Sequence, residues 1–287
     1  MAYATLDSIT QLAATRWREQ SNDPRMAQLM SSLVEHLHAF ARENKLTIEE
    51  WFEATEWLSR TGQISNDKRK EFILLSDVLG LSMMLELLHD TKPEAATQNT
   101  LLGPFYIPGS PEIPFGGRLP GLADADGTPL VISGTVRGLD GEPIADAVID
   151  IWQNDHNGIY EAQMDPDVPP HCRGIQHSRK DGSYMLRTIV PVDYSIPTDG
   201  PVGDLVGRTA ISAIRPAHIH FEIEAEGHPP LVMHVFDRQS QRLESDPVFG
   251  AREGLLLDFV EHPAGTAPNG DTIDRHYRVA RLDLTLA

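Results

Sequence analysis

Arg215-Pro216-Ala217-His218-Ile219-His220-Phe221-Glu222-Ile223 is the stretch of sequence that indicates most about the fold and function of this chain. Beyond the proline, its apolar residues alternate with polar ones, which is the pattern of a β-strand with one buried face. Because side chains two apart on a strand share a face, His218 and His220 are predicted to project together. Two imidazoles on one rigid strand make half of a metal site. The alternative is a solvated strand face, which Glu222 would share with them.

The bulk composition is that of an ordinary globular protein. The chain has 287 residues, of which 40% are hydrophobic and 23% charged, enough for a sizeable core and about two domains. Its net charge of −18 argues against nucleic acid and anionic membranes as partners. The single cysteine, Cys172, excludes an intrachain disulfide and fits a reducing compartment. The N-terminus lacks the pattern of a secretory signal and no apolar run approaches a membrane span, which predicts a cytoplasmic protein without membrane insertion.

The first hundred residues have a helical pattern. Asp23-Pro24 is typical of an N-cap followed by the first helical position, and Thr47 with Glu50 fits a capping box. A long helix that is apolar on nearly every side is predicted over residues 68–89. Such a helix must be covered by its own domain, by another domain or by a second subunit. These features predict an all-helical N-terminal domain over residues 1–100.

The remainder of the chain has the pattern of short strands. Residues 91–127 are rich in proline and glycine and are predicted to form an ordered connection. The strands predicted beyond it are 130–137, 147–153, 183–190, 217–225, 231–237 and 277–286. Strands at this spacing without intervening helices are typical of an antiparallel β-sandwich. The sequence therefore predicts an α+β protein in which residues 101–287 form a β-sandwich domain that carries the candidate site.

A metal bound by His218 and His220 needs further ligands, and the β region contains two unusually placed tyrosines. Tyr160 closes a turn after the strand predicted over 147–153, and Tyr194 lies in a proline-rich loop. A tyrosine more often packs its ring against apolar neighbours and hydrogen-bonds its hydroxyl. The residues alone leave both interpretations open.

Five segments of the chain closely resemble the intradiol ring-cleavage dioxygenases, in particular their catechol and hydroxyquinol branch. The segments are Glu71-Phe72-Ile73-Leu74-Leu75-Ser76-Asp77-Val78-Leu79-Gly80, Leu102-Gly103-Pro104-Phe105-Tyr106, Asp150-Ile151-Trp152-Gln153 leading to Tyr160, the run from Tyr194 to Gly203, and Arg215 to Phe221. Within them, Tyr160, Tyr194, His218 and His220 all match the four-ligand pattern of that family. The similarity covers most of the chain and favours the metal-binding interpretation.

The resemblance implies one Fe(III) per subunit, held by these two tyrosines and two histidines, with no separate reducing cofactor. A catechol-type substrate would react with O₂, and its ring would open between the two hydroxylated carbons to give a muconate-type diacid. Tyr194 is implied to leave the metal and help take up a proton. Arg215 is implied to stabilise negative charge that develops on the substrate. A salt bridge between Arg215 and a carboxylate is the alternative role.

The resemblance also implies which residues bind and select the substrate. They are Leu74, Asp77, Leu101, Leu102, Gly103, Pro104, Ile196, Pro197, His234 and Val248. His234 stands where catechol enzymes of the family carry glutamine, which favours hydroxyquinol (1,2,4-trihydroxybenzene) over catechol or chlorocatechol. Asp77 is predicted either to recognise the third hydroxyl of hydroxyquinol or to bond a nearby backbone group.

Members of the family resembled are homodimers that meet through their helical domain, where an apolar channel can hold a phospholipid, and the same is expected here. Two alternatives from other classes remain at this point. One is a zinc hydrolase or a cupin-like Fe(II) oxygenase, which would use His234 or Glu222 in place of the tyrosines. The other is a non-catalytic β-sandwich binding module, which would hold no metal.

Overall fold

The computed structural model describes residues 3–66, 69–122, 127–165 and 167–287. The chain divides into two compact units, Met1–Arg60 and Thr61–Ala287. Compact units need not coincide with folding or evolutionary domains. The domain boundary predicted near residue 100 therefore stays a prediction.

The first unit is helical. It contains α1 (Ile9–Gln20), α2 (Pro24–Glu43) and most of α3 (Ile48–Ile64), and α1 packs against α2. The predicted caps are confirmed. The Asp23 carboxylate accepts hydrogen bonds from the backbone N–H groups of Arg25 and Met26 at the start of α2. Thr47 and Glu50 bond each other's backbone N–H group, at 2.8 and 3.2 Å, ahead of α3.

The single helix predicted over residues 68–89 is wrong, because the structure has two helices there, α4 (Glu71–Val78) and α5 (Leu81–His89). Residue 68 lies outside the described residues. Gly80 separates α4 from α5 and has a φ of 72°, a left-handed conformation that glycine adopts at no steric cost. The two helices are bent by 74°. In the described part of the chain, no single helix is long and apolar enough to cross a membrane, and only this bent pair passes that test together.

The second unit also contains the strands and a short helix, α6 (Pro201–Gly207). The strands are β1 (Pro129–Gly138), β2 (Val148–Gln153), β3 (Arg173–His177), β4 (Ser183–Ile189), β5 (Tyr194–Ser195), β6 (Ile214–Arg215), β7 (His218–Glu224), β8 (Leu231–Asp237), β9 (Leu256–Leu257), β10 (Val260–His262), β11 (Gly265–Thr266), β12 (Thr272–Ile273), β13 (Tyr277–Arg281) and β14 (Leu284–Leu286). One five-stranded sheet has the order β10-β13-β1-β14 with β4 also paired to β1, and a second has the order β3-β2-β7-β8-β9, while β5 pairs with β6 and β11 pairs with β12 in two-stranded sheets.

The two five-stranded sheets pack face to face, and each of them is mixed. Side chains of both, such as Ile132 on β1 and Phe221 on β7, belong to one apolar cluster and are fully buried, which stabilises the fold by roughly 1.5–3 kcal/mol for each large side chain. The prediction of a purely antiparallel sandwich is wrong in one respect. Strands β13 and β14 pair with β1 in parallel, and β9 pairs with β8 in parallel.

The face of the second sheet that points away from this core carries the polar side chains of β2, β7 and β8. On β7, His218 and His220 lie on this face while Phe221 lies in the core, as the alternation predicts. His220 is the register partner of Trp152 on β2 and of His234 on β8. The segment after α5 runs beside this face, and its Thr100 N–H donates to the Val232 carbonyl at 2.7 Å. The candidate site is therefore built on three adjacent strands.

An acidic pair, of which Asp150 is buried and Glu222 is half-buried, lies on the same face. Asp150 on β2 and Glu222 on β7 are register partners, and the Tyr106 hydroxyl donates to Asp150 Oδ2 at 3.5 Å. Burial raises the pKa of Asp150 to about 6, and the nearby charge of Glu222 adds to the rise.

Asp150→Asn is expected to stabilise the protein above about pH 6 and to change it little below about pH 4. The pKa of Asp150 is about 6 in the folded protein, whereas an unfolded aspartate titrates near about 4. Ionised Asp150 therefore costs stability as pH rises through this window. The difference in unfolding free energy between variant and wild type should grow by roughly 1–2 kcal/mol from acid to neutral pH, measured by urea denaturation. Asp140→Asn on an exposed turn is the control, and a difference independent of pH would contradict the expectation.

Candidate metal centre

Three buried donor atoms converge at one end of β7. The Tyr160 hydroxyl lies 3.3 Å from His218 Nε2 and 3.4 Å from His220 Nε2. All three side chains are at most 2% exposed. Tyr160 follows β2 and the histidines lie on β7, so neighbouring strands bring the three residues together.

A fourth donor, the Tyr194 hydroxyl, lies beside them. The Tyr194 and Tyr160 rings meet edge to face with centroids 5.4 Å apart. On the short β5–β6 ladder, Tyr194 is the register partner of Arg215, and its hydroxyl accepts a hydrogen bond from Arg215 Nη1 at 3.3 Å. Tyr194 differs from Tyr160 because it is only partly buried and faces the neighbouring cavity.

Both histidines are neutral, and His218 presents the lone pair of its Nε2 atom to this point. Burial lowers the pKa of His218 and of His220 well below the usual range, and the nearby Arg215 charge acts in the same direction. The His218 Nδ1–H group donates to the Pro216 carbonyl at 2.8 Å. That hydrogen bond assigns the proton to Nδ1 and leaves the Nε2 lone pair free.

The donor set fits a ferric ion. Burial raises the pKa of Tyr160 well above its ordinary value, so its phenolate form requires a strongly Lewis-acidic partner such as Fe(III). Among the described residues, no group of three or more His, Cys, Asp or Glu side chains is arranged to hold a metal. A metal bound at His218 and His220 would therefore use the tyrosines as ligands, which disfavours a zinc hydrolase or a cupin-like Fe(II) oxygenase.

Among the described residues, neither side chain that those two alternatives need joins His218 and His220 in a metal-binding group. His234 Nε2 donates to the Leu101 carbonyl at 2.7 Å, and its Nδ1 atom, which has no hydrogen-bond partner, lies toward Gly250 in the cavity wall. Glu222 bonds the Tyr106 hydroxyl, on the far side of Trp152.

A partly open cavity adjoins the four donors. Nine of the ten residues predicted to bind substrate line it, namely Leu74, Asp77, Leu101, Gly103, Pro104, Ile196, Pro197, His234 and Val248. Leu102 does not line it, and its side chain is 37% exposed. Gly103 has a φ of 80°, and a Cβ atom there would lie 3.3 Å from His220 Cε1, so glycine lets this wall approach the ligands closely.

Arg215 is buried between the donors and a carboxylate. Its guanidinium forms an ion pair with Asp246, with Nε 3.1 Å from Oδ1, and its Nη1 group still reaches Tyr194. Burial alone would lower the pKa of Arg215, but Tyr194 and Asp246 outweigh it and raise the pKa above its usual value. The salt bridge and the contact with the donor cluster, considered as alternatives from the sequence, are both present.

Comparison with known proteins decides the family. A family model described as the catechol dioxygenase N terminus matches residues 23–97, and a dioxygenase model matches residues 101–275. The chain belongs to the intradiol ring-cleavage dioxygenases. Members of this family are generally non-haem iron enzymes that act on catechol-type substrates with O₂. This dioxygenase is therefore an enzyme, and the binding-module alternative is wrong.

Similar proteins cover nearly the whole dioxygenase chain. A 6-chlorohydroxyquinol 1,2-dioxygenase of Cupriavidus pinatubonensis is 44% identical over 259 residues, which are 90% of this chain and 93% of the relative. A hydroxyquinol 1,2-dioxygenase of Rhodococcus opacus is 42% identical, with 94% and 90% covered. The solved structure of hydroxyquinol 1,2-dioxygenase from Pseudomonas putida DLL-E4 superposes with a TM-score of 0.91 at 39% identity, with 98% of each chain covered.

Several residues of the dioxygenase site were missed from the sequence. Met83, Phe105 and Gly250 also line the cavity, and the Phe105 ring stacks on Tyr160 with centroids 4.7 Å apart. Phe105 could have been found, since it directly follows Gly103-Pro104. Met83 could not, because a continuous helix over 68–89 would not bring α5 back to the cavity.

A second feature of the dioxygenase is Glu71, which joins helix α4 to the start of helix α6, after Tyr194 in the chain. Its carboxylate is 1% exposed and accepts hydrogen bonds from Arg69 Nε at 2.9 Å and from the Val202 backbone at 3.1 Å. Arg69 also forms a two-point ion pair with Asp199. These contacts fasten α4 to residues 199–202.

Proposed function

We propose that this protein is a non-haem Fe(III) intradiol dioxygenase whose substrate is hydroxyquinol. It would insert both atoms of O₂ and open the ring between the two adjacent hydroxylated carbons, giving 3-hydroxy-cis,cis-muconate or its tautomer maleylacetate. The observation that carries the proposal is the convergence of two tyrosine hydroxyls and two histidine Nε2 atoms beside Arg215 and a partly open cavity. The names of the similar proteins support hydroxyquinol as the substrate.

Tyr160, Tyr194, His218 and His220 are the residues that would hold one Fe(III) per subunit. When bound, Fe(III) would supply the Lewis acidity that keeps phenols ionised and the electronic partner that lets an aromatic diol react with O₂. The chain supplies neutral imidazoles for this purpose, because burial keeps both histidines unprotonated.

Tyr194 and Arg215 would handle the proton and the charge of the reaction. Tyr194 lines the cavity, whereas Tyr160 is fully buried, which supports Tyr194 as the tyrosine that would take up a proton from an incoming substrate hydroxyl at its Oη atom. Arg215 Nη1 lies 3.3 Å from that atom. A permanently charged group at this position stabilises negative charge on the substrate oxygens as the ring is attacked.

Asp77 would select hydroxyquinol over catechol. It lines the cavity from helix α4, and its Oδ1 atom is buried and has no hydrogen-bond partner. Burial raises the pKa of Asp77, while the Ser82 hydroxyl lowers it. An unpaired buried acceptor matches the third hydroxyl of the substrate. Leu74, Ile196 and Val248 form apolar walls against the ring.

The alternative substrates are catechol and chlorocatechols. One similar protein acts on 6-chlorohydroxyquinol by its name, and the cavity opens into a larger space of about 800 Å³ that shares Leu74, Asp77 and Pro104. This space offers room for a substituent on the ring.

The test is an absorption spectrum of the purified protein, recorded without O₂ and then after hydroxyquinol or catechol is added. A broad tyrosinate-to-Fe(III) band that shifts with each substrate is expected, followed by faster O₂ uptake with hydroxyquinol. A protein that stays colourless after reconstitution with iron would rule out the two tyrosines as ligands.

We also propose that the enzyme is a cytoplasmic homodimer that meets through its helical region, with a phospholipid held between the subunits. Exposed apolar side chains along α2, among them Leu29, Leu33 and Phe40, support a covered helical surface. Light scattering of the purified protein and mass spectrometry of extracted lipid test the two parts separately. A monomer without lipid would contradict both.

A further inference from the structure

Asp246 is a buried carboxylate to which the proposed reaction gives no role. Its side chain is 1% exposed. Oδ1 accepts hydrogen bonds from Arg215 Nε at 3.1 Å and Val248 N at 3.4 Å, and Oδ2 accepts from Arg215 Nη2 at 3.3 Å and Gly250 N at 2.9 Å. A carboxylate offers about four acceptor positions. All of them are used within the protein.

The ion pair fixes which edge of Arg215 faces the reaction. Nε and Nη2 are held by Asp246, so Nη1 is the nitrogen left to act in the site. It lies 3.3 Å from Tyr194 Oη and 3.4 Å from His218 Nε2. An arginine side chain has many rotamers, and two parallel hydrogen bonds to one carboxylate remove most of them.

The same carboxylate holds a strained part of the cavity wall. Val248 and Gly250 line the cavity, and between them Phe249 adopts a φ of 58°, which is uncommon for a residue with a side chain. A Cβ atom on Gly250 would lie 2.8 Å from Arg215 Nη2. The loop therefore packs directly against the ion pair of Arg215 and Asp246, and it leaves no room for a side chain at residue 250.

We propose that Asp246 is a positioning residue that holds the Nη1 edge of Arg215 toward the reacting substrate. The inference rests on the proposed ring cleavage, in which Arg215 touches the substrate and Asp246 acts only through Arg215. If the Arg215 guanidinium is misplaced, it still partly neutralises the negative charge of the bound diol. It no longer stabilises the additional negative charge that develops on the substrate in the transition state of ring attack. The loss should therefore fall on kcat rather than on binding.

Asp246→Asn tests the proposal. Asparagine is nearly the same size as aspartate, but its side chain has only one oxygen and cannot accept hydrogen bonds from both Nε and Nη2 of Arg215. We expect kcat for hydroxyquinol to fall about 10- to 100-fold, with KM and iron content changed less than about threefold. Binding of 4-nitrocatechol without O₂, followed by its absorbance, is a readout independent of turnover and should stay within about threefold of wild type. Asp246→Glu keeps the negative charge, but its side chain is longer by one methylene and displaces the Arg215 guanidinium. It serves as a second variant should Asp246→Asn not fold.

A double-mutant cycle separates positioning from a general structural role. Arg215→Lys keeps the positive charge but removes the guanidinium, whose Nε and Nη2 atoms bond Asp246. In the Arg215→Lys background, Asp246→Asn should therefore change kcat by less than about threefold. Wild-type kcat in Asp246→Asn, an equal loss of kcat in both backgrounds, or lost 4-nitrocatechol binding would each overturn the proposal. A wild-type enzyme that cleaves neither hydroxyquinol nor catechol would instead overturn the proposed function, and this inference with it.

Discussion

Tyr160→Phe is expected to remove turnover while leaving the fold intact. The Tyr160 hydroxyl bonds side-chain groups, namely the Nε2 atoms of His218 and His220 and the Tyr194 side chain, so its loss leaves no buried backbone group unpaired. Hydroxyquinol turnover should fall on the order of 10³-fold or more. Iron affinity should fall by more than the roughly 10- to 100-fold that loss of a supporting residue costs. Oxygen uptake, iron analysis and the visible band measure these effects, and urea denaturation of the iron-free protein should change by less than about 1 kcal/mol.

Tyr184→Phe is the matched control, since Tyr184 is also 1% exposed and its hydroxyl donates to the Leu282 carbonyl at 2.7 Å. Its loss should cost about 0.5–1.5 kcal/mol of stability and leave colour, iron and turnover unchanged. A Tyr160→Phe variant that keeps its colour and rate would exclude Tyr160 as a ligand. The assignment of the metal ligands would then be wrong.

Asp77→Ala is expected to reduce hydroxyquinol turnover far more than catechol turnover. The buried, unpartnered Oδ1 atom of Asp77 can accept a hydrogen bond only from a substrate that carries a third hydroxyl. A hydrogen bond to a charged group contributes about 1.5–3 kcal/mol, so kcat/KM for hydroxyquinol should fall roughly 10- to 100-fold. For catechol, kcat/KM should change less than about threefold, because no partner is lost. Oxygen uptake with both substrates on the same preparation measures the ratio.

Asp90→Ala supplies the control for the loss of one negative charge, since Asp90 follows α5 and does not line the cavity. It should change neither substrate's kcat/KM. Equal losses on hydroxyquinol and catechol in Asp77→Ala would show that Asp77 shapes helix α4 or the cavity and does not recognise the third hydroxyl.

Local patterns predicted much of this protein correctly because their causes are local. The caps at Asp23 and Thr47 depend on residues within three positions of each other, and the alternation in β7 is a property of one strand. The family followed from short segments around Tyr160, Tyr194 and His218, and the family models confirm it. The ligand assignment itself stays a prediction, which the spectrum of the protein will test.

Features that depend on distant parts of the chain were not predictable. The break at Gly80 depends on a left-handed glycine facing Phe249, more than 150 residues away. The parallel pairing of β1 with β13 and β14 joins the start of the β region to its end. Asp246 has the pattern of an ordinary turn residue before proline, and only the folded chain places it against Arg215. Apolar periodicity carries no information about such contacts.

The buried Glu71 has a consequence for how this enzyme can acquire new substrates. Together with Arg69, it fastens helix α4, which carries Leu74 and Asp77, to residues 199–202, which follow Tyr194. Mutations that shift α4 to admit another ring would also shift Tyr194, so gains in substrate range through this helix should be accompanied by losses in rate. Val248 takes no part in this coupling of α4 to residues 199–202, because it lies on a different loop, which Asp246 holds. Natural or laboratory selection for a new substrate should therefore accumulate changes of side-chain size on α4 and leave Glu71 itself untouched.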